Sequence, residues 1–293
     1  MAVIKTKALT KNYGKSRGIT NLDLTVNEGD YFGFIGPNGA GKSTTIRTLL
    51  GLISPTSGEA EIFGLNVVKD KKRILADVGY MPSEAMFYNS MKVRDTIEFS
   101  ARLRKKNCSK ESEILCRRLD LDMDKKIEQL SLGNRKKVAI VCALQHRPKL
   151  CILDEPTGGL DPLMQKEFFE ILKERHNDGA TIFLSSHVLS EIQKNCKNAA
   201  IIKDGKIIAQ DSVENLSRTG AKRVTMDGIS EIPKALAVKD VKVFEKSISF
   251  LYGGNIRELL ECASKLPLTD MTITEPGLDE IFMHYYEKDG GDK

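Results

Sequence analysis

Short apolar runs alternate with amphipathic stretches along most of this chain. Val3–Ala8 reads as a strand, and Leu22–Val26 alternates apolar and polar positions as a half-buried strand does. Tyr31-Phe32-Gly33-Phe34-Ile35 is an apolar run that enters a glycine-rich loop, and a helix is predicted from Ser43 to Leu50, closed by Gly51 and Pro55. A further strand pair is predicted around Gly58–Phe63 and Asp77–Met81. Val93, Ile97 and Ala101, then Ile114, Leu115 and Leu119, recur at helical spacing. Gly133–His146 reads as a helix, and Leu150–Leu153 and Thr181–Leu184 read as buried strands. Helices follow Pro162 and His187, and a hairpin, Ala199–Lys203 and Lys206–Ala209, turns on Asp204-Gly205. Strands alternating with helices imply an α/β fold whose largely parallel sheet is covered on both faces.

After about Asn215 the texture changes. Short strands are predicted around Ala221–Met226, Val241–Phe244, Ile248–Tyr252 and Met271–Thr274, with helices at Arg257–Ser264 and Leu278–Tyr286. This reads as a small α+β accessory domain over 216–293 after a main domain over 1–215, with Gly290–Lys293 a frayed end. Charge divides in the same place: residues 211–293 carry 11 basic and 15 acidic side chains, against 34 and 25 before them. The basic excess of the main body fits a nucleotide, a nucleic acid or an anionic membrane surface and does not choose among them.

Composition narrows the class. Of 293 residues, 41% are hydrophobic and 29% charged, which excludes a disordered chain. No window approaches the ~18 apolar residues of a membrane span, and the start lacks the apolar stretch of a signal peptide. Six scattered cysteines without a CxxC pair form neither a disulfide framework nor a zinc pattern, so a reduced, cytoplasmic protein is expected.

The decisive chemistry is Gly36-Pro37-Asn38-Gly39-Ala40-Gly41-Lys42-Ser43-Thr44, a GxxxxGKS loop between an apolar strand and a helix. Such a loop turns backbone N–H groups inward around a polyphosphate, which requires glycines. Lys42 supplies charge to the β- and γ-phosphates, the Ser43 hydroxyl suits Mg²⁺, and the helix N-terminus favours the anion. Leu150–Leu153 delivers Asp154, suited to hold Mg²⁺ through water. It also delivers Glu155, suited to polarise an attacking water, although adjacent acids after a strand are also ordinary solvated turn residues.

With these motifs in this order, residues 2–215 resemble the nucleotide-binding subunit of an ATP-binding-cassette (ABC) transporter. Leu130-Ser131-Leu132-Gly133-Asn134 is similar to the family's LSGGQ signature, Gly158-Gly159-Leu160-Asp161 to its D-loop, and Ser185-Ser186-His187 to its switch histidine. Tyr13 takes the place of the aromatic that stacks on adenine. Bland alternatives stand beside these: strand packing for Tyr13, a helix start for His187, an N-cap for Ser131. The other histidines, His146, His176 and His284, are read as structural.

The resemblance implies a P-loop NTPase fold, a mixed sheet with a helical subdomain over about 84–146, followed by the small α+β domain. It implies a Mg²⁺-dependent ATPase in which Glu155 and His187 drive hydrolysis. ATP would be clamped between the phosphate loop of one subunit and the signature Ser131–Asn134 of a second, identical or paralogous subunit, with Asp161 as the D-loop residue. Leu132 and Asn134 depart from the signature's glycine and glutamine. Ser83 stands where the Q-loop glutamine normally reaches the metal and the attacking water; it is too short for that reach without a bridging water, and Glu84 is expected to substitute. Transmembrane permease subunits would dock between Ser83 and Leu130, holding the chain on the inner face of the membrane.

Glu275-Pro276-Gly277-Leu278-Asp279-Glu280-Ile281-Phe282 is similar to the ending of cassettes that serve ABC-2 exporters, which favours export. An ordinary capped amphipathic helix is the alternative. An importer cassette shares the same core. A soluble cassette acting on nucleic acid or ribosomes is disfavoured by the single phosphate loop and the short stretch between Lys42 and Ser131, so no nucleic-acid partner is expected.

Overall fold

The computed structural model describes residues 1–14, 16–217, 222–229, 231, 236 and 238–274. They fall into two compact units, Met1–Ser212 and the chain from Val213 onward. The first is organised on a six-stranded sheet ordered Lys206–Ser212, Asn198–Lys203, Tyr31–Ile35, Thr181–Ser186, Leu150–Asp154, Val78–Met81. All neighbours are parallel except the outer hairpin, which turns on Asp204 and Gly205 at positive φ. Every residue of Tyr31–Ile35, Leu150–Asp154 and Thr181–Ser186 is buried, because helices cover both faces of a parallel sheet. The rings of Phe32 and Phe183 stack across it at 5.9 Å.

A second, antiparallel sheet packs beside the phosphate-loop helix, ordered Ser16–Leu22, Ala2–Tyr13, Ser57–Ile62, Leu65–Asn66, with Thr25–Asn27 also pairing Ala2–Tyr13. Three sequence expectations change here. The first strand runs on to Tyr13, kinked at Ala8 (φ 47°) where its register slips. The strand expected at Leu22–Val26 is broken in two, because the Asp23 carboxylate accepts from the Ala8 N–H at 2.7 Å and interrupts the ladder. The strands expected at Gly58–Phe63 and Asp77–Met81 lie in different sheets, which periodicity does not distinguish.

The helical part comprises Val93–Leu103, Ser109–Arg118 and Leu132–Leu144. Arg118 ties it to the helix Pro162–Asn177 through Glu167 at 2.6 Å and Glu174 at 2.5 Å, and Glu111 bonds both Arg175 and Arg147. His146 is buried with Nε2 3.2 Å from the Val78 carbonyl. Burial first, then the charge of Arg104, lowers its pKa to about 4. The unfolded chain therefore takes up a proton between about pH 6.5 and 4 that the native state refuses. Stability should fall as pH falls through that window, with a slope approaching about 1.4 kcal/mol per unit. Urea unfolding at pH 7 and 5 should show His146→Gln losing this share of the pH dependence; parallel profiles for variant and wild type would contradict it.

In the second unit a four-stranded antiparallel sheet runs Val238–Val243, Ser247–Tyr252, Lys222–Asp227, Asp270–Thr274. Its core is Val224, Met226, Ile248, Phe250 and Tyr252 with Leu259 of the helix Ile256–Ala263. The helix expected at Leu278–Tyr286, the Glu275–Phe282 motif and His284 lie outside the described residues.

Candidate functional site

The loop Gly36–Thr44 connects the buried strand Tyr31–Ile35 to the helix Lys42–Leu49. Gly41, at φ 109°, is the N-cap of that helix, a conformation other residues avoid. At Gly36 a Cβ would fall 2.6 Å from the Ile202 carbonyl oxygen. The Lys42 ammonium curls over the loop and donates to the carbonyls of Gly36 at 2.6 Å and Pro37 at 3.1 Å. The first turn of the helix leaves N–H groups without intrahelical acceptors, where its dipole favours an anion. Pro37, Asn38, Gly39, Gly41, Lys42, Ser43, Thr44 and Glu155 line a cavity of about 390 Å³ there.

Glu155 follows the strand Leu150–Asp154 at φ 48°, a left-handed backbone that costs a non-glycine residue about 1–2 kcal/mol. Each of its polar groups is held. Its N–H donates to the Ser185 carbonyl at 3.1 Å, and its own carbonyl accepts from Lys136 Nζ at 2.6 Å. Oε1 lies 3.0 Å from Lys42 Nζ, and Oε2 lies 3.0 Å from His187 Nδ1. Burial alone would raise the carboxyl's pKa, but Lys42 and then His187 outweigh it and hold Glu155 below the usual carboxylate range. The strained turn thus returns an anionic carboxylate to the phosphate loop.

Asp154 is fully buried and accepts from the Ser185 hydroxyl at 2.6 Å. As a donor set for a metal, the Ser43 hydroxyl and the Asp154 carboxylate are too few for a protein cage. They fit Mg²⁺, which takes one or two protein ligands and completes its shell with substrate phosphates and water.

The remaining sequence candidates lie elsewhere. Among the described residues, the cavity lining includes none of Tyr13, Ser83, Glu84, Ser131–Asn134 or Asp161. Ser131 caps the helix Leu132–Leu144, accepting from the Asn134 N–H at 3.3 Å, and Asp161 caps Pro162–Asn177, accepting from the Met164 N–H at 3.0 Å. Leu132 is 68% exposed. Tyr13 is 43% exposed with Lys11 Nζ 5.3 Å above its ring, so core packing does not account for it. Glu84 is exposed and Ser83 half-buried just past the strand Val78–Met81.

Four contributors have roles that the motifs do not assign. Ser185 orients Asp154, and Lys136 holds the Glu155 carbonyl. Ser186 Oγ donates to Glu191 at 2.8 Å and accepts from the Val188 N–H at 2.9 Å, fastening the loop that carries His187. Tyr80 has its pKa raised by burial and then by the charge of Asp154. The two serines adjoin His187 in sequence and were within reach of inspection. Lys136 and Tyr80 carried no local signal.

Comparison with known proteins agrees with this architecture. The profile of the ABC transporter family matches residues 19–158. A bacitracin transport ATP-binding protein of Bacillus licheniformis is 36% identical over 301 residues, covering 96% of each chain. A linearmycin resistance ATP-binding protein of Bacillus subtilis is 29% identical, covering 96% of this chain and 97% of its own. Among solved structures, the ATP-binding subunit of an ABC transporter superposes with a TM-score of 0.70 at 28% identity, covering 74% of this chain and 92% of that one. A phosphate loop set in this sheet, and kinship over nearly the full length of a transport protein, lead to one conclusion: the chain belongs to the ABC transporter family, as an ATP-binding and ATP-hydrolysing cassette.

Proposed function

We propose that the chain powers a membrane exporter of the ABC-2 class, acting through separate transmembrane permease subunits as a head-to-tail pair with a second ATP-binding subunit. The observation that carries export is the extent of kinship. Relatives named for bacitracin transport and linearmycin resistance match about 96% of the chain, second unit included. Among the described residues no helix is long and apolar enough to cross a membrane, so movement would be passed to other subunits. A groove of about 380 Å³ lined by Met86, Phe87, Tyr88, Met91, Phe99 and Leu103 suits a permease segment, which would hold the chain at the inner face of the membrane.

In this reading Lys42 and the helix N-terminus bind the phosphates, Tyr13 stacks on adenine, and Ser131 completes the site of the partner subunit. Ser43 and Asp154 would hold Mg²⁺, whose charge would offset that of the phosphates. Glu155 is the general base and His187 holds its second oxygen. The Lys42–Glu155 pair gives this chemistry an order. A γ-phosphate competes for Lys42, and once that cation shifts, the Glu155 carboxyl loses its main stabiliser. Its proton affinity rises at the moment an attacking water needs a base.

Export predicts that the chain co-purifies from detergent with a polytopic membrane protein. Phe99→Asp with Leu103→Asp should abolish that capture while leaving the ATPase activity of the isolated chain unchanged. Purification with ribosomes or nucleic acid, or capture indifferent to the groove, would overturn the proposal.

A further inference from the structure

The helix Leu132–Leu144 begins at the signature and is clamped at two points to the turn that carries Glu155. In its first turn, Gly133 approaches Gly159 so closely that a Cβ would lie 2.6 Å from the Gly159 oxygen, and a Cβ on Gly159 would in turn meet the Leu132 side chain at 3.4 Å. One turn later, Lys136 reaches the Glu155 carbonyl at 2.6 Å, beneath Gly158, where a Cβ would be 3.7 Å from the ammonium. Lys136 is 5% exposed, an unusual place for a lysine. Burial lowers its pKa although Glu155, Asp154 and Glu191 pull the other way, so the contact is bought against desolvation rather than given by the surface.

We infer that Lys136 is a positioning residue for hydrolysis, locking the Glu155 turn to the signature helix of the same chain. The inference rests on the head-to-tail dimer proposed above. In that dimer Ser131 and Glu155 of one chain serve different nucleotides, so Lys136 links the two sites. A shift of the helix as Ser131 engages one phosphate moves the Glu155 backbone, and the carboxylate is re-aimed at the other. The left-handed turn makes this sensitive, because among the described residues no backbone N–H outside regular helices and strands bonds the Glu155 carbonyl that Lys136 holds.

The test compares full-length wild type, Lys136→Met and Lys136→Arg. Phosphate release is measured against ATP concentration, and ATP affinity by calorimetry with the metal chelated. Methionine keeps the length without the donor, whereas arginine keeps a cationic donor. The Met variant should lose about 10²-fold in kcat, the scale of a misplaced catalytic group. Its KM and ATP affinity should stay within about twofold, its Hill coefficient should drop to 1, and Arg should recover most of kcat. A wild-type Hill coefficient of 1, with no ATP-driven dimer of Glu155→Gln, overturns the dimer reading and the link between sites. A cooperative wild type matched by Lys136→Met overturns the role of Lys136 alone. A Met variant that loses ATP affinity and thermal stability together with kcat, without rescue by Arg, also overturns it.

Discussion

Glu155→Gln should bind ATP more tightly than the wild type and turn it over at least about 10²-fold more slowly. The second half follows from removing the carboxylate that faces the phosphate loop as general base. The first half follows from Lys42: its ammonium lies 3.0 Å from Glu155 Oε1, so a phosphate must displace that carboxylate before it can use the cation. Glutamine is nearly isosteric and neutral, and it releases Lys42 without emptying the space. With product formation blocked, the ATP-bound pair should accumulate as a dimer. Calorimetry, phosphate release and size exclusion with ATP read the three effects separately. Turnover within threefold of wild type, from a protein that stays monomeric with ATP, would show that Glu155 is not the base.

Lys42→Ala should have the largest effect on binding, weakening ATP by about 10²-fold or more. It removes a charge-assisted contact worth about 1.5–3 kcal/mol to each phosphate it serves. It also leaves Glu155 without its principal counter-charge, so the carboxylate repels the incoming phosphate. Loop shape should survive, because the positive-φ glycines at 39 and 41 set it and the Ala40 N–H still bonds the Pro37 carbonyl. A thermal midpoint close to wild type would confirm that only binding is lost. Micromolar or tighter affinity in the variant would remove the phosphate loop from the mechanism.

Glu155→Gln and Lys42→Ala together separate two uses of one ion pair. If Lys42 mainly orders the turn of Glu155, the alanine variant should retain ATP and lose rate. If it mainly holds phosphate, affinity falls first. The bonds from Lys42 Nζ to the Gly36 and Pro37 carbonyls favour the second, since they keep the ammonium over the loop whatever Glu155 does.

Much of this molecule was written in contiguous residues. The anion-binding loop uses the backbone of Gly36–Thr44, so its glycines, lysine and serine had to be neighbours in sequence. The central strands are buried on both faces, so they stood out as unbroken apolar runs at Tyr31–Ile35, Leu150–Leu153 and Thr181–Leu184. Caps were equally local: Ser131 and Asp161 each bond an N–H three residues on. What tertiary structure decided was everything that depends on register or on distant partners. The interrupted antiparallel sheet turns on one contact between Asp23 and Ala8, and the separation of Ser57–Ile62 from Val78–Met81 is a matter of which edge each strand finds. The ring of contacts around Glu155 joins residues 42, 185 and 187, which meet because parallel strands end at one edge of the sheet, with Lys136 brought to it by a packed helix. Lys136 shows the limit most plainly. Its residue type predicts a solvated helix face, and only the packing of that helix on the Glu155–Gly159 turn makes it a buried cation donating to the Glu155 carbonyl.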